Sequence, residues 1–457
     1  MRLYSTAGRE VSEFKPLSQT VGIYICGPTV YDFSHLGHAR TYINSDILVR
    51  SLNWLGFKTR VVMNITDVGH LTSDADEGED KVAKKAQAEK KTAWEIAKFY
   101  EADFWQMVDS LNIKRPDLVT KATDYISQMI ELISKLEKKG FTYKTSDGIY
   151  FDTAKFPSYG QMAKLDLKNL KAGARVEQNK AKKNITDFAL WKFTPVGVKR
   201  EMEWDSPWGK GFPGWHIECS AMSITNLGET LDVHTGGVDH ISVHHTNEIA
   251  QSEAVTGKQF VRFWFHSNIL EVDGQKMSKS LNNFYRLSDV IAKGLDPLSL
   301  RYLYLTAHYR TKMNFTWQGL TAAAEAYRKL KSMVAAWQGV KGRTQISPEK
   351  LAKVEDFSAK FRAAIEEDLN LPQALAVVWE MVKSNIPEMD KLEMITDWDQ
   401  VLGLNLTAPV KKVEISNEVK ALIDKREELR KEGKYEEADK LRSQIEATGF
   451  KIEDQHA

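Results

Sequence analysis

Residues 24–40 read YICGPTVYDFSHLGHAR: an apolar run that stops at Cys26, a turn-prone Gly-Pro, and then His-x-Gly-His. The chain continues as HARTYINSDILVRSLNWLG, with apolar residues at 43, 47, 48, 52 and 55 ahead of Gly56. Contiguous apolar residues bounded by turn formers predict a buried strand, and the three-to-four spacing that follows predicts a packed helix stopped by glycine. KTRVVMNITDVG, at 58–69, supplies a second strand rich in β-branched residues. Strand, helix and strand in succession predict a right-handed parallel βαβ unit, hence a Rossmann-like doubly wound α/β sheet that binds its ligand beyond the carboxyl ends of the strands. The histidines lie at that edge.

The chain has 457 residues, more than one hydrophobic core usually supports, so two to four domains are expected. Hydrophobic residues make up 42% and charged residues 27%, the balance of an ordinary globular protein rather than a disordered one. MRLYSTAGREVSEF lacks an apolar leader, and no run of eighteen apolar residues occurs, so secretion and membrane spanning are disfavoured and a cytoplasmic location without membrane contact is expected. A net charge of +1 gives no global basic field. Locally, residues 161–200 carry ten Lys or Arg against three acids, which reads either as an RNA-facing surface or as a solvated loop. Two cysteines, Cys26 and Cys219, are too few for a disulfide framework and are core residues, reactive thiols or metal ligands.

The α/β pattern breaks after about residue 110. SDGIYFDTAKFPSYG reads as a hairpin or small sheet, and the pattern resumes as GWHIECSAMSITNLG, ETLDVHTGGVD and VHHTNEIAQSEAVTG, a helix, a strand and a helix. Residues 111–195 are therefore expected to be an insertion between two halves of one nucleotide-binding fold, 1–110 and 196–260. A region at 261–310 follows, then a helical bundle at 311–408 and a C-terminal region at 409–457. In that last region two charged amphipathic helices break at Gly433, with positions 435, 438 and 441 among those expected inward.

Three sets of residues carry chemistry. His35-Leu36-Gly37-His38 sits where strand hands over to helix, and a helix N-terminus offers free N–H groups and a positive dipole end to phosphate. KMSKS at 276–280 places Lys276 and Lys279, flexible point charges suited to a phosphate clamp, on a loop after the strand-like FWFHSNILEVDG. Either motif alone reads as a solvated turn; the ordered pair on two halves of an α/β domain predicts ATP binding. Trp215 and Cys219 lie four apart on one predicted helix, His244 and Glu248 four apart on another, so each pair shares a face. With Cys26 they make two thiols, an imidazole and a carboxylate, a donor set that suits zinc, although on pattern alone buried core residues explain the cysteines better.

Taken together, ICGPTVYDFSHLGHAR, NITD, DFALWK, FPGWHIECSAM, HHTNEIAQSE, KMSKSLNNF and LRYLYLTAHYR closely resemble the cysteinyl-tRNA synthetases, a class I aminoacyl-tRNA synthetase family. The resemblance runs from about residue 20 to about residue 455. It implies a ligase that activates L-cysteine with ATP and Mg²⁺ and passes it to the 3′ end of tRNA(Cys), one zinc ion per chain selecting the substrate thiolate, and a monomer is expected. It places the zinc ligands on Cys26, Cys219, His244 and Glu248, and the catalytic residues on His35, His38, Lys276 and Lys279. ATP binding falls on Gly37, His38, Gly236, Asp239, Lys276 and Lys279, and the amino-acid pocket on Thr66, Trp215 and His234. It makes 111–195 a connective domain, 261–310 a stem-contact region and 409–457 an anticodon-binding region.

Two other readings stay in view: a cysteine ligase with an amino-sugar acceptor, of the mycothiol type, and a catalytically silent RNA-binding paralogue. The charged terminal helices argue against the first and the intact phosphate motifs against the second. The chain departs from the common family pattern in the 67–80 loop, and its IEDQHA ending lacks the usual TPxGTxW, so anticodon contacts from the extreme C-terminus are expected to be reduced or replaced.

Overall fold

The computed structural model describes residues 1–69, 81–166, 182–195, 197, 200–278, 281, 283–342, 345–409, 421–422, 425–426, 428–430 and 434–447. A short antiparallel pair, β1 (Arg2–Ser5) and β2 (Glu10–Glu13), precedes β3 (Thr20–Ile25), helix α1 (Leu36–Trp54) and β4 (Lys58–Ile65). These last three are the predicted βαβ unit, and β3 pairs with β4 in parallel from Thr20↔Lys58 to Ile25↔Met63. Two helices, α2 (Lys81–Glu89) and α3 (Ala93–Ser110), lead to β5 (Leu118–Lys121), which extends the sheet beyond β4. That strand lies inside the stretch expected to be the insertion, 111–195, yet belongs to the parallel sheet; four residues are too few for a period-2 pattern to show.

After helix α4 (Ile126–Lys138), strands β6 (Thr142–Lys144), β7 (Gly148–Phe151), β8 (Phe188–Phe193) and β9 (Gly211–Pro213) form an antiparallel sheet, which runs past the expected end of the insertion at 195. The doubly wound fold then resumes as α5 (Trp215–Leu227), β10 (Leu231–Gly237), α6 (His244–Thr256) and β11 (Val261–Ser267). The order of the five parallel strands is β11-β10-β3-β4-β5. The chain winds outward from β3 to β5, then returns to lay β10 on the other side of β3. That reversal makes the gap between β3 and β10 the topological switch point, the place where such sheets bind ligands.

Both faces of the sheet are covered. Ile23 and Ile25 point into the core shared with α1, and Tyr24 and Cys26 point into the core shared with α4, α5 and α6, the period-2 alternation of a strand buried on two sides. Helix α1 is itself buried on nearly every side, which brings Arg40, Asn44, Asp46 and Arg50 indoors with their hydrogen bonds. A small sheet, β12 (Leu270–Val272), β13 (Gln275–Lys276) and β14 (Met313–Phe315), follows β11. Around it lie α7 (Leu287–Ala292) and α8 (Pro297–Leu305), and then the bundle helices α9 (Trp317–Gln338), α10 (Pro348–Glu366), α11 (Leu371–Lys383) and α12 (Glu388–Leu402).

Of the two terminal helices, α13 (Tyr435–Ala447) is described, and much of the first falls outside the described residues. Ala438 is buried as expected, but Tyr435, expected inward, is 64% exposed because it stands at the first turn of α13. Among the described residues no helix is long and apolar enough to cross a membrane.

Candidate functional site

A cleft of about 610 Å³ opens at the switch point. Cys26 lines one part of it, His35 and His38 another, and Met277 and Ser278 a third. Cys26 is held by its backbone N–H, which donates to the Thr235 carbonyl at 3.1 Å, so the residue just past β3 is fixed against β10.

His35 is the N-cap of α1. Its Nδ1 accepts from the His38 N–H at 3.3 Å, the His38 Nδ1 accepts from the His35 N–H at 3.3 Å, and the rings stack with centroids 3.7 Å apart. With both Nδ1 atoms accepting, each neutral ring carries its proton on Nε2. His38 keeps exposed surface, but the protein crowded around its ring, and then His35 and His240, hold it well below the usual imidazole range. Gly37 allows the stack, since a Cβ there would meet the His35 ring at 2.8 Å. Gly236 also lines the cleft, and a Cβ on it would meet His245 at 2.6 Å; Asp239 lines the edge in a 3-10 turn.

Lys276 ends β13 and is exposed, paired in register with Glu271, whereas the next two residues face the cleft. The Ser278 N–H donates to Asn283 Oδ1 at 2.7 Å and Asn283 Nδ2 donates to the Lys276 carbonyl at 3.1 Å, closing the loop on itself. Lys279 lies outside the described residues.

Cys26, Cys219 and His244 bring their donor atoms within 4.8 Å of one another, all buried. They come from the residue just past β3, the second turn of α5 and the first residue of α6. Glu248, one turn along α6, is not in that triple. Its Oε1 lies 2.9 Å from His244 Nε2 and its Oε2 lies 3.0 Å from His234 Nε2, so the carboxylate is shared between two imidazoles. Trp215 lines the cleft and packs its ring 4.4 Å from that of His244.

Thr66 and His234 stand behind the wall. Thr66 Oγ1 donates to the buried Glu218 Oε2 at 3.0 Å, and the ring of His234 stacks on Trp264.

In the thiol cluster burial and paired charges work against each other. Burial alone would lower the His244 pKa, but Glu248 and then Cys219 push it up to about 10. Burial alone would raise the Glu248 pKa, but His234 and His244 hold it at about 2. The Cys219 thiol is pushed up by its hydrogen bond to Cys26 and by burial. His244 Nε2 and Glu248 Oε1 are fully buried, yet neither has a well-aligned hydrogen-bond partner among the described residues. Two soft thiols, an imidazole with a spare nitrogen and a carboxylate with a spare oxygen fit zinc.

Sequence reasoning missed His216, whose Nδ1 lies 2.9 Å from His244 Nδ1, and the buried His245 beside His244. His216 sits three residues before Cys219 on α5, so helical spacing alone puts it on the same side. Lys192, counted among the basic residues of 161–200, is buried and lines the cleft, its Nζ donating to Asp147 Oδ2 at 2.7 Å and to the Tyr150 hydroxyl at 2.9 Å. Most of that basic stretch, 167–181, and the loop 70–80 lie outside the described residues.

A split five-stranded parallel sheet with its cleft at the switch point and stacked His-x-Gly-His rings at a helix N-terminus define a class I aminoacyl-tRNA synthetase catalytic unit, and the profile of the tRNA synthetases class I (C) catalytic domain matches residues 13–325. Mycobacterium tuberculosis methionyl-tRNA synthetase in complex with methionyl-adenylate shares the fold, with a TM-score of 0.57 at 16% identity over 85% of this chain and 90% of that one.

Within that class the chain belongs to the cysteine–tRNA ligase family. It is 47% identical to cysteine–tRNA ligase 1 of Burkholderia lata over 99% of this chain and 95% of that protein. It is 42% identical to the cysteine–tRNA ligase of Treponema denticola over 100% of this chain and 98% of that one.

Proposed function

We propose that this chain attaches L-cysteine to tRNA(Cys) in two steps at the switch-point cleft. The observation that carries the reading is that one cleft joins Cys26 to His35 and His38 and to Met277 and Ser278. An amino acid held at the thiol cluster then presents its carboxylate to a nucleotide held at the helix N-terminus.

In the first step a carboxylate oxygen of cysteine attacks the α-phosphorus of ATP, and the bond to the bridging oxygen of pyrophosphate breaks. The carboxylate is already ionised, so no general base is needed, and the protein's work is positioning and stabilising phosphoryl charge. The Nε2–H groups of His35 and His38 donate to phosphoryl oxygens, the Gly37 backbone admits them closely, and Lys276 and Lys279 supply positive charge, with Mg²⁺ accompanying ATP. Gly236 and Asp239 border the adenosine, and Trp215 walls the amino acid. In the second step the terminal ribose hydroxyl of tRNA attacks the acyl carbon and AMP departs.

Cys26, Cys219, His244 and Glu248 would hold zinc. Bound there, zinc supplies a soft Lewis-acid position that takes the thiolate of cysteine and not the hydroxyl of serine, a contact present for one substrate and lost for the other, of the kind that discriminates by about 10⁴ or more. Thr66 and His234 hold the next layer: Thr66 fixes Glu218 beside Cys219, and His234 orients Glu248.

The test is cysteine-dependent exchange of pyrophosphate into ATP, followed by charging of purified tRNA. Exchange and charging with cysteine and not with serine is expected. No exchange would make the chain a silent paralogue, and transfer to glucosamine-inositol in place of tRNA would make it the amino-sugar ligase.

A further inference from the structure

Arg40 follows the His-x-Gly-His motif by two residues, and its side chain points away from the cleft into the interior, where it is 1% exposed. Its guanidinium meets no carboxylate among the described residues. It donates to four backbone carbonyls: Nη1 to Asn268 at 2.7 Å and Ile269 at 2.9 Å, Nη2 to His308 at 3.3 Å and Thr311 at 2.6 Å. Burial, only partly offset by Tyr304, brings its pKa down to about 10.

Those carbonyls belong to the two connections that enter the small sheet. Asn268 and Ile269 precede β12, and His308 and Thr311 precede β14, the strand that pairs with β12 in parallel. β12 in turn pairs with β13, which delivers Met277 and Ser278 to the cleft. On the other side of the loop, the Leu36 N–H donates to the Tyr285 carbonyl at 2.9 Å, and the Tyr304 hydroxyl donates to the Leu36 carbonyl at 2.9 Å. The start of α1 is thus tied to the strands before the loop through Arg40 and to the segment after it through Leu36.

A packed apolar side chain would give α1 and the small sheet cohesion. A planar group with five donors gives something more specific, because satisfying four carbonyls at once fixes distance and rotation together.

We propose that Arg40 is the positioning residue that sets the two phosphate-binding motifs at their working separation, by holding both entry connections of the small sheet against the helix that starts at His35–His38. The role rests on reading those motifs as the ATP site. ATP spans both of them, whereas the thiol cluster at the far part of the cleft is built from β3, α5 and α6 and touches neither connection. A misplaced small sheet therefore injures the nucleotide step and spares cysteine.

The experiment compares wild type with Arg40→Lys and Arg40→Met in pyrophosphate exchange, with hydrogen exchange on amides 268–278 and 217–221. Lysine keeps the charge but cannot reach four carbonyls. For Arg40→Lys the expected result is a rise in the KM for ATP and a fall in kcat of roughly tenfold to a hundredfold, the cost of displacing reacting groups by about 1 Å. The KM for cysteine should stay within about twofold, since its contacts are untouched. Amides 268–278 should exchange faster and amides 217–221 at the wild-type rate.

Equal changes in both KM values, unchanged kinetics, or unaltered exchange at 268–278 would overturn the proposal. So would failure of Arg40→Lys to fold, whatever Arg40→Met does, because the requirement would then be global. An inactive wild type would instead reject the ATP reading itself.

Discussion

His216 and His244 face each other through their Nδ1 atoms, 2.9 Å apart, both rings buried and contributed by different helices. Only one of the two nitrogens can carry the shared proton, so the contact fixes which face of His244 remains for a ligand: Nε2, the atom aimed at Glu248. Gln251 Nε2, bonded to the His216 carbonyl, steadies the partner in turn. Replacing His216 by Ala frees the His244 ring to rotate. Zinc affinity, measured by competition with a chromogenic chelator, is expected to fall about 10–100-fold, the usual effect of losing an outer partner of a metal-binding histidine. An unchanged affinity would mean that His216 only fills space.

The doubly wound sheet was legible because its signals are local: VGIYIC and RVVMNI are apolar runs bounded by turns, and α1 ends at Gly56, whose φ is +92°. The thiol cluster was legible in part. Cys219 and His244 announce themselves by residue type, but that His234 takes up one oxygen of Glu248 depends on a register, His234↔Tyr24, that brings β10 beside β3 across a long sequence interval. Arg40 goes unread, and Lys192 reads only as part of an RNA-facing or solvated stretch, for the same reason. What removes each from water is a surface made elsewhere in the chain, the carbonyls at 268–311 for one and Asp147 with Tyr150 for the other.

Cys219→Ser replaces a soft donor by a hard one at a position 1% exposed, leaving volume almost unchanged. Zinc content by atomic absorption is expected to drop, and cysteine-dependent pyrophosphate exchange to fall by at least about a hundredfold, since a hydroxyl is a poor zinc ligand. Full activity in metal-free protein would reject zinc as the element that selects cysteine.

His38 fixes the expected pH behaviour of the nucleotide step. Loss of water around the ring, and then His35 and His240, hold it well below its ordinary 6.5, so the neutral form is the folded form near neutrality. Protonation favours the unfolded chain, so the contribution of this group to stability is full above about 6.5 and is lost as the pH falls below that value. Pyrophosphate exchange at saturating substrates is expected to stay level from about pH 8 to about pH 6.5 as far as this residue is concerned, and His38→Asn should lower the plateau without changing its shape. An inflection near 6.5 in the wild type that His38→Asn abolishes would show that the imidazolium is the working form.

Asp46 lies on α1, buried, and one oxygen serves two arginines: Arg301 Nη2 at 2.6 Å and Arg50 Nε at 2.7 Å. Its other oxygen accepts from the Lys114 N–H at 2.9 Å. Arg301 is wholly buried and also donates through Nε to the Leu402 carbonyl at 2.7 Å, while Arg50 Nη1 donates to the Gln400 carbonyl at 3.2 Å, so the carboxylate fastens the last turn of α12 to the catalytic helix. Asp46→Asn keeps the shape and removes the charge, leaving two guanidinium groups indoors with no hydrogen-bonded carboxylate and only the charge of Asp399 to oppose them. The expected loss is about 3–5 kcal/mol, read from the denaturation midpoint in urea. Arg2 and Glu367 make a pair of similar length, 2.8 Å, but with about half of each side chain in water, and Glu367→Gln is expected to cost less than about 1 kcal/mol. If the two variants proved equally mild, the Asp46 cluster would be incidental to joining the bundle to the nucleotide fold, and the apolar contacts of α1 with α12, with the Trp54 Nε1–H bond to Asp397, would have to carry that junction.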